Sequence, residues 1–364
     1  MFNKKPILFL LGVLMFLTRA WGEGPVSGLS ISPSALNPKM SVIADFVGQS
    51  GTRGDPSQTQ DGFHLREVEI GLQAEIDPYA RADFFIGGMD DQGNSPELEE
   101  GYITMPSLPY GFQLRGGKFK ALFGRLNSVH PHEWSQVDAP LVLPAFLGEE
   151  GLASTGLEIS RVFAPLGVYT EATYALLQDL GDTASVGSVP TQVVDVNGST
   201  VTVDVPIEAV APAQRLRNFA HVAKIRFYKD MNDTTNVDLG VSGALHEPKD
   251  VEGSVPHDFD RKRLSAVDLT FRWKPLAQGV YRSAIWRSEG FYTDQSLAPV
   301  LDPVDASKNQ PAVRLNRRGM YSYLEFQPLK RWRLGVRGDY VEDPTVRDNN
   351  TPHITRALAP YVTF

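Results

Sequence analysis

The chain has 364 residues, no cysteine, and 35 basic against 43 acidic side chains, a formal net charge of −8. The lack of cysteine excludes a disulfide framework and thiolate metal sites, and the acidic balance argues against a general nucleic-acid binder. An acidic total says little about a pore, whose selectivity depends on local charge at its narrowest point.

Residues 1–22 read as a secretory signal peptide. Lys4 and Lys5 precede an apolar run from Ile7 to Leu17, and the small residues Ala20 and Gly22 suit cleavage after Gly22. Cleavage removes Lys4, Lys5 and Arg19 and deepens the net charge to about −11. Residues 23–39, rich in Gly, Ser and Pro, are expected to form a periplasmic lead-in without a core. Beyond Gly22 no apolar run reaches the ~18 residues of a membrane-crossing helix, so insertion must be by strands.

Residues 40–364 divide into about fourteen alternating segments, the rhythm of a transmembrane barrel. The expected strands are 40–49, 63–76, 79–89, 97–106, 111–122, 155–163, 168–178, 217–229, 235–246, 261–274, 280–292, 317–327, 331–342 and 353–364. In the first long one His64, Arg66, Val68, Ile70 and Leu72 share a face, and Glu67, Glu69, Gly71, Gln73 and Glu75 take the other. Likewise Val267, Leu269, Phe271 and Trp273 oppose Asp268, Thr270 and Arg272, and Trp332, Leu334, Val336 and Tyr340 oppose Arg333, Arg337 and Asp339. One set suits lipid and the other water. Gly116-Gly117 is expected to mark a bulge or bend, because Lys118 and Lys120 fall on the face that Phe112 and Leu114 begin.

Short connections such as Asp77-Pro78 and Pro328–Lys330 alternate with long ones at 50–62, 90–96, 123–154, 179–216, 247–260, 293–316 and 343–352. Short turns belong on the periplasmic side, so an even strand number leaves both mature termini periplasmic. The predicted fold is an all-β, transmembrane, antiparallel up-and-down barrel of the bacterial outer membrane. A soluble propeller or sandwich also alternates, but lacks this asymmetry of connection length.

Loop 123–154 is too apolar between Leu141 and Leu147 for a solvated tip. It is expected to fold into the lumen as a constriction loop, the alternative being an external lid. There Asp138, Glu149 and Glu150 would face Arg115, Arg333 and Arg337, while Glu67, Glu69, Arg81 and Asp83 line the lumen wall. His130, His132 and Glu133 offer zinc-type donors, but their spacing matches no closed site. A hydrogen-bonded loop anchor without metal is expected there. Residues 179–216 carry two β runs around Asn197-Gly198, a hairpin signal. Serines and histidines form no catalytic signature, so no enzymatic activity is expected.

The stretches FHLREVEIGLQAEIDPYARADFF, LEEGYITM, LRGGKFKALFGRLNSVHPHEW, LVLPAFLGEEGLASTGLEIS and YRSAIWRSEGFY together resemble a family of uncharacterised bacterial outer-membrane porin-like barrels. Members are sometimes labelled zinc-regulated TonB-dependent receptors. Such a receptor needs about twenty-two strands and a plug, and this chain is too short for both. The resemblance implies about two further strands after ITRALAPYVTF, sixteen in all. Truncation at Phe364 is the favoured expectation, because Pro360 removes a ladder donor from a closing strand. The alternating Leu358, Pro360, Val362 and Phe364 also fit a terminal insertion strand of a complete fourteen-stranded barrel.

The reading as a whole is a passive channel for small hydrophilic solutes, with no cofactor. Its partners are outer-membrane lipid and those solutes but no nucleic acid, and its oligomeric state is open. The alternatives are a non-conducting barrel for surface binding, or metal-linked uptake.

Overall fold

The computed structural model describes residues 38–49, 62–89, 95–148, 150–180, 188–194, 200–206, 216–247, 261–277, 279, 281–297, 311–348 and 351–364. The expected signal peptide, most of the lead-in, Glu149 and the Asn197-Gly198 turn lie outside the described residues.

In chain order the strands are β1 (Lys39–Gln49), β2 (Gly62–Asp77), β3 (Ala80–Met89), β4 (Glu97–Leu108), β5 (Phe112–Lys120), β6 (Ala153–Phe163), β7 (Tyr169–Leu177), β8 (Ser188–Val194), β9 (Thr200–Pro206), β10 (Ala220–Asn232), β11 (Thr235–His246), β12 (Lys262–Trp273), β13 (Ser283–Leu297), β14 (Val313–Leu329), β15 (Trp332–Glu342) and β16 (Ile354–Thr363). Fourteen of them form one antiparallel sheet in sequence order, and β8 and β9 pair separately. The expected wall strands all form. β13 and β14 run further than their alternation suggests, reaching Leu297 and starting at Val313.

The sheet is sorted inside out. Val241, Val267, Leu324 and Leu334 are 47%, 52%, 54% and 47% exposed, whereas Asp238, Asp268, Thr270 and Arg337 are at most 1% exposed. Soluble proteins sort these residue types the other way. Apolar side chains outside and charges within are what lipid outside and water inside require. Exposed aromatics gather near the tight turns, among them Tyr79, Tyr110, Tyr169, Trp273 and Trp332. Towards the long-loop end Phe46 stacks on Phe63, with ring centroids 5.7 Å apart. These are the levels at which aromatic girdles meet the two interfaces.

The sheet rolls on itself. Val137 and Asp138 are neighbours in sequence, yet the carbonyl of Val137 accepts from Arg66 on β2 at 2.5 Å and Asp138 meets Arg337 on β15 at 3.0 Å. Strands near opposite edges of the sheet order therefore grip adjacent residues of one loop. Antiparallel hydrogen bonding carries the wall between them; β12 and β13, for example, stay in register from Lys262↔Gln295 to Trp273↔Ala284.

Two expectations are corrected by register. The β1–β2 ladder slips between Asp45 and Phe46, which leaves Arg66 as an extra residue. A bulge re-aims the side chain it carries, so Arg66 leaves the apolar face and binds Asp45 and the carbonyl of Val137. Gly116-Gly117 is not a bulge, since β5 pairs with β6 unbroken from Phe112↔Arg161 to Lys120↔Ala153. Gly117 has φ +139°, and a Cβ there would sit 2.2 Å from the Gly101 carbonyl oxygen. Close approach of β4, not an extra residue, requires glycine.

An arginine on the lipid face should be costly. Val267→Arg is expected to lower stability in lipid vesicles by about 2–4 kcal/mol, measured by denaturant unfolding; an unchanged midpoint would contradict the assigned face.

Candidate functional site

The connection 121–152 between β5 and β6 folds against the inner wall. Its neck is tied by Asn127, whose amide donates to the carbonyls of Ala121 at 2.8 Å and Leu152 at 3.3 Å while its Oδ1 accepts from Leu152 N–H at 2.8 Å. Past the neck the chain contacts wall strands on several sides.

On one side it meets β10–β13. The N–H of Gly124 donates to Ser242 Oγ at 3.0 Å, that of Arg125 to Glu289 Oε1 at 2.8 Å, and the Lys224 ammonium donates to the Gly124 carbonyl. Asp238, fully buried, meets Arg125, Arg226 and Arg272 at 3.1, 2.7 and 3.5 Å. Three guanidinium groups thus surround one carboxylate, with Asp268 and Glu289 buried on neighbouring strands and Glu171 3.5 Å from Arg226, so this wall carries charges of both signs.

Across the strand order the loop meets β2 and β4, where the wall is acidic. His130 Nε2 lies 2.9 Å from Glu100 Oε1 and its Nδ1 2.7 Å from Glu69 Oε2. Burial opposes charging of this imidazole, but the carboxylates of Glu100 and Glu69 beside it outweigh that and raise the pKa to about 9. Carboxylate oxygens of Glu67, Glu69 and Glu99 lie within 4.8 Å of one another. A bulge makes this crowding possible: the β3–β4 ladder pairs Phe85 with Glu100 and Ile86 with Leu98, leaving Glu99 extra. Consecutive glutamates that alternation would send to opposite faces thus both approach the loop. Gly87 leaves the space, since a Cβ there would fall 1.8 Å from Glu99 Oε1.

The next segment meets the late strands. The Thr363 hydroxyl donates to the Ser135 carbonyl at 2.8 Å, and the Gln136 amide to the Tyr361 hydroxyl at 3.3 Å. Helix α1 (Val142–Leu147) then packs on β14 and β15. Val142, Leu143, Phe146 and Leu147 are at most 6% exposed, and Phe146 stands edge-on to Phe291 at 6.3 Å. Here lies the reason for the apolar run in the loop: it joins an interior cluster with Leu264, Tyr321 and Val341.

Not every expected pairing occurs. Asp138 does meet Arg337, which also binds Asp339 at 2.9 Å. Arg115 instead pairs with Glu158 on β6 at 2.8 Å and lies over the Phe119 ring, and Arg333 approaches Glu325 at 4.0 Å. Arg115 and Arg333 find carboxylates on neighbouring strands, where facing side chains are closest, so these two do not oppose loop acids. Glu150 and Glu133 are exposed. Arg81 pairs with Asp83 at 2.9 Å, and Glu67 and Glu69 belong to the acidic wall. Glu99, Glu100 and Arg125 were not among the expected site residues. The paired glutamates of LEEGY carried a usable signal, because a strand with lipid on one face cannot place both on alternating sides.

An inside-out antiparallel up-and-down barrel with a long loop against its inner wall has the architecture of a transmembrane β-barrel. No family model matches the chain. An uncharacterized protein of Aquifex aeolicus (strain VF5) is 29% identical over 326 residues, covering 85% of this chain and 61% of that protein. The chain thus spans about three-fifths of the length of this curated relative. Among solved structures, OprB of Pseudomonas putida aligns with TM-score 0.42 and 9% identity, over 89% of this chain and 94% of its own. The outer membrane channel DcaP of Acinetobacter baumannii aligns with TM-score 0.39 and 11% identity, over 90% and 97%. OmpT of Vibrio cholerae in its trimer form aligns with TM-score 0.37 and 6% identity, over 90% and 98%.

Asn127→Ala opens the neck and strands the buried Leu152 N–H, a loss of about 2 kcal/mol. Limited proteolysis of the folded barrel should then cut within 121–152 faster than in wild type. Equal rates would show that the neck does not hold the loop.

Proposed function

We propose that the protein is a passive channel for small hydrophilic solutes, with the loop 121–152 as its constriction and no catalytic step. The observation that supports this reading is a long loop held beside an inner wall of charged groups of both signs, carboxylates of Glu67, Glu69 and Glu99 on β2 and β4 and a mixed set of Asp238, Asp268, Lys224, Arg226 and Arg272 on β10–β12. Opposed charges set up a transverse field that favours hydrated, polar solutes over apolar ones. Solutes exchange part of their hydration for wall charges of both signs and leave as readily as they enter. In this proposal Asp138, anchored by the buried Arg337, and the exposed Glu150 face the passage, Arg115 and Arg333 tune its field, and both mature termini face the periplasm after signal-peptide removal.

A non-conducting barrel is the second reading, supported by the contacts the loop makes with several sides of the wall. Planar-bilayer recording separates the two. The channel reading expects discrete, reproducible open steps from the folded protein, and deletion of residues 128–147 should enlarge them severalfold. If correctly folded wild type gives no steps while the deletion conducts, the loop is a seal and the resting barrel is closed.

A further inference from the structure

The acidic wall and the loop meet at a set of donors that the channel reading does not use. One ring nitrogen each of His130 and His132 and one carboxylate oxygen of Glu69 lie within 4.8 Å of one another. Glu69 Oε2 is 2.7 Å from His130 Nδ1 and 3.8 Å from His132 Nδ1, and Glu99 Oε2 is 3.6 Å from His130 Nδ1. Four donors around a tetrahedral ion with bonds of about 2.0–2.1 Å stand about 3.3 Å apart, so the observed separations bracket that spacing.

Two independent features point the same way. Glu69 has a side chain only 2% exposed, and neither its Oε2 nor His130 Nδ1 makes a hydrogen bond of proper direction despite their short separation. A buried carboxylate oxygen and a buried imidazole nitrogen are thus both aimed into the cluster without a satisfying partner, which is costly unless another group completes them. The remaining nitrogen of His130, Nε2, is held by Glu100 at 2.9 Å. A carboxylate gripping the far nitrogen fixes the ring orientation and leaves the near nitrogen for a metal, the arrangement common around imidazole-ligated ions.

Charge supports it too. Glu67, Glu69 and Glu99 crowd together with Lys120, whose Nζ is 3.4 Å from Glu99, as the nearby ammonium. Carboxylates this close repel unless a proton or a cation sits among them.

We infer that Glu69, His130 and His132, with Glu99 as fourth ligand, bind one divalent transition-metal ion that cross-links the inner loop to the barrel wall. Two imidazoles with carboxylates suit an ion of zinc type, whereas calcium and magnesium prefer oxygen alone. The ion replaces the proton on His130, which passes to solvent. This departs from the expectation of a metal-free hydrogen-bonded anchor and from Glu133, whose place is taken by a wall glutamate. The site is a staple, and its existence does not depend on conduction.

The test uses the full chain, folded in detergent without an affinity tag and stripped by chelator. Zn2+ is titrated calorimetrically, and metal retained after desalting is measured by mass spectrometry. One Zn2+ per chain is expected, with micromolar or tighter affinity. Glu100→Gln should weaken it about 10–100-fold, and His132→Ala by at least as much. His353→Ala, which alters an exposed histidine outside the cluster, should bind as wild type does. The heat-modifiable gel shift of each variant confirms that the barrel is folded. The inference is overturned if wild type retains no stoichiometric Zn2+, if folded His132→Ala binds as tightly as wild type, or if Ca2+ binds as tightly as Zn2+, which would assign the ion to carboxylates alone.

Discussion

The charges along the middle of this wall are settled on its inner side. Lipid accepts charge poorly, so Asp238, Asp268, Glu289 and Arg337 turn towards a shared interior, where an unpaired ion costs several kcal/mol, and the outward-facing Arg314 and Arg318 lie towards the long-loop end of β14. The consequences are visible strand by strand. Asp238 gathers guanidinium groups from β10, β12 and the loop, Arg337 lies between Asp138 and Asp339, and Arg115 closes on Glu158. The inner loop is held by the same requirement, because its carbonyls, Arg125 and His130 complete what the wall strands leave unsatisfied. Position and charge balance are one problem in this barrel.

Its two halves solve that problem differently. Residues 142–147 behave like the core of a soluble protein, burying Val142 and Phe146 against Phe291 and its neighbours. Residues 130–138 pack Trp134 on the same cluster but add a polar clamp of His130, the carbonyl of Val137 and Asp138. Salt and pH act on the second half and scarcely on the first, so the loop has one end fixed by packing and one whose grip is set by solution conditions.

The fold was legible because lipid and water print opposite chemistry on alternate residues. Val267 to Trp273 could be assigned to faces from sequence alone, and Asp268 and Thr270 are buried as that alternation requires. The apolar run of the loop likewise announced an interior location. What could not be read was register. One extra residue at Glu99 reverses the side to which a carboxylate points, and one at Arg66 moves a cation from the apolar face to the loop. The slip at Arg66 leaves no mark in a period-two pattern, and the one at Glu99 shows only as the paired glutamates of LEEGY. Contact partners across the lumen were equally hidden: Arg115 and Arg333 looked available to loop acids, and adjacent strands claimed them first.

The bond between Thr363 and Ser135 joins residues 228 positions apart. Arg66 and Arg337 likewise bracket the loop from early and late in the chain. The seat for residues 135–138 therefore cannot exist until β2 and β16 have been brought round to the same place. Contacts of such long range form late, because chain closure must precede any gain from them. Assembly thus has a built-in order: the segment that obstructs the interior locks only after β2, β15 and β16 have been brought to it.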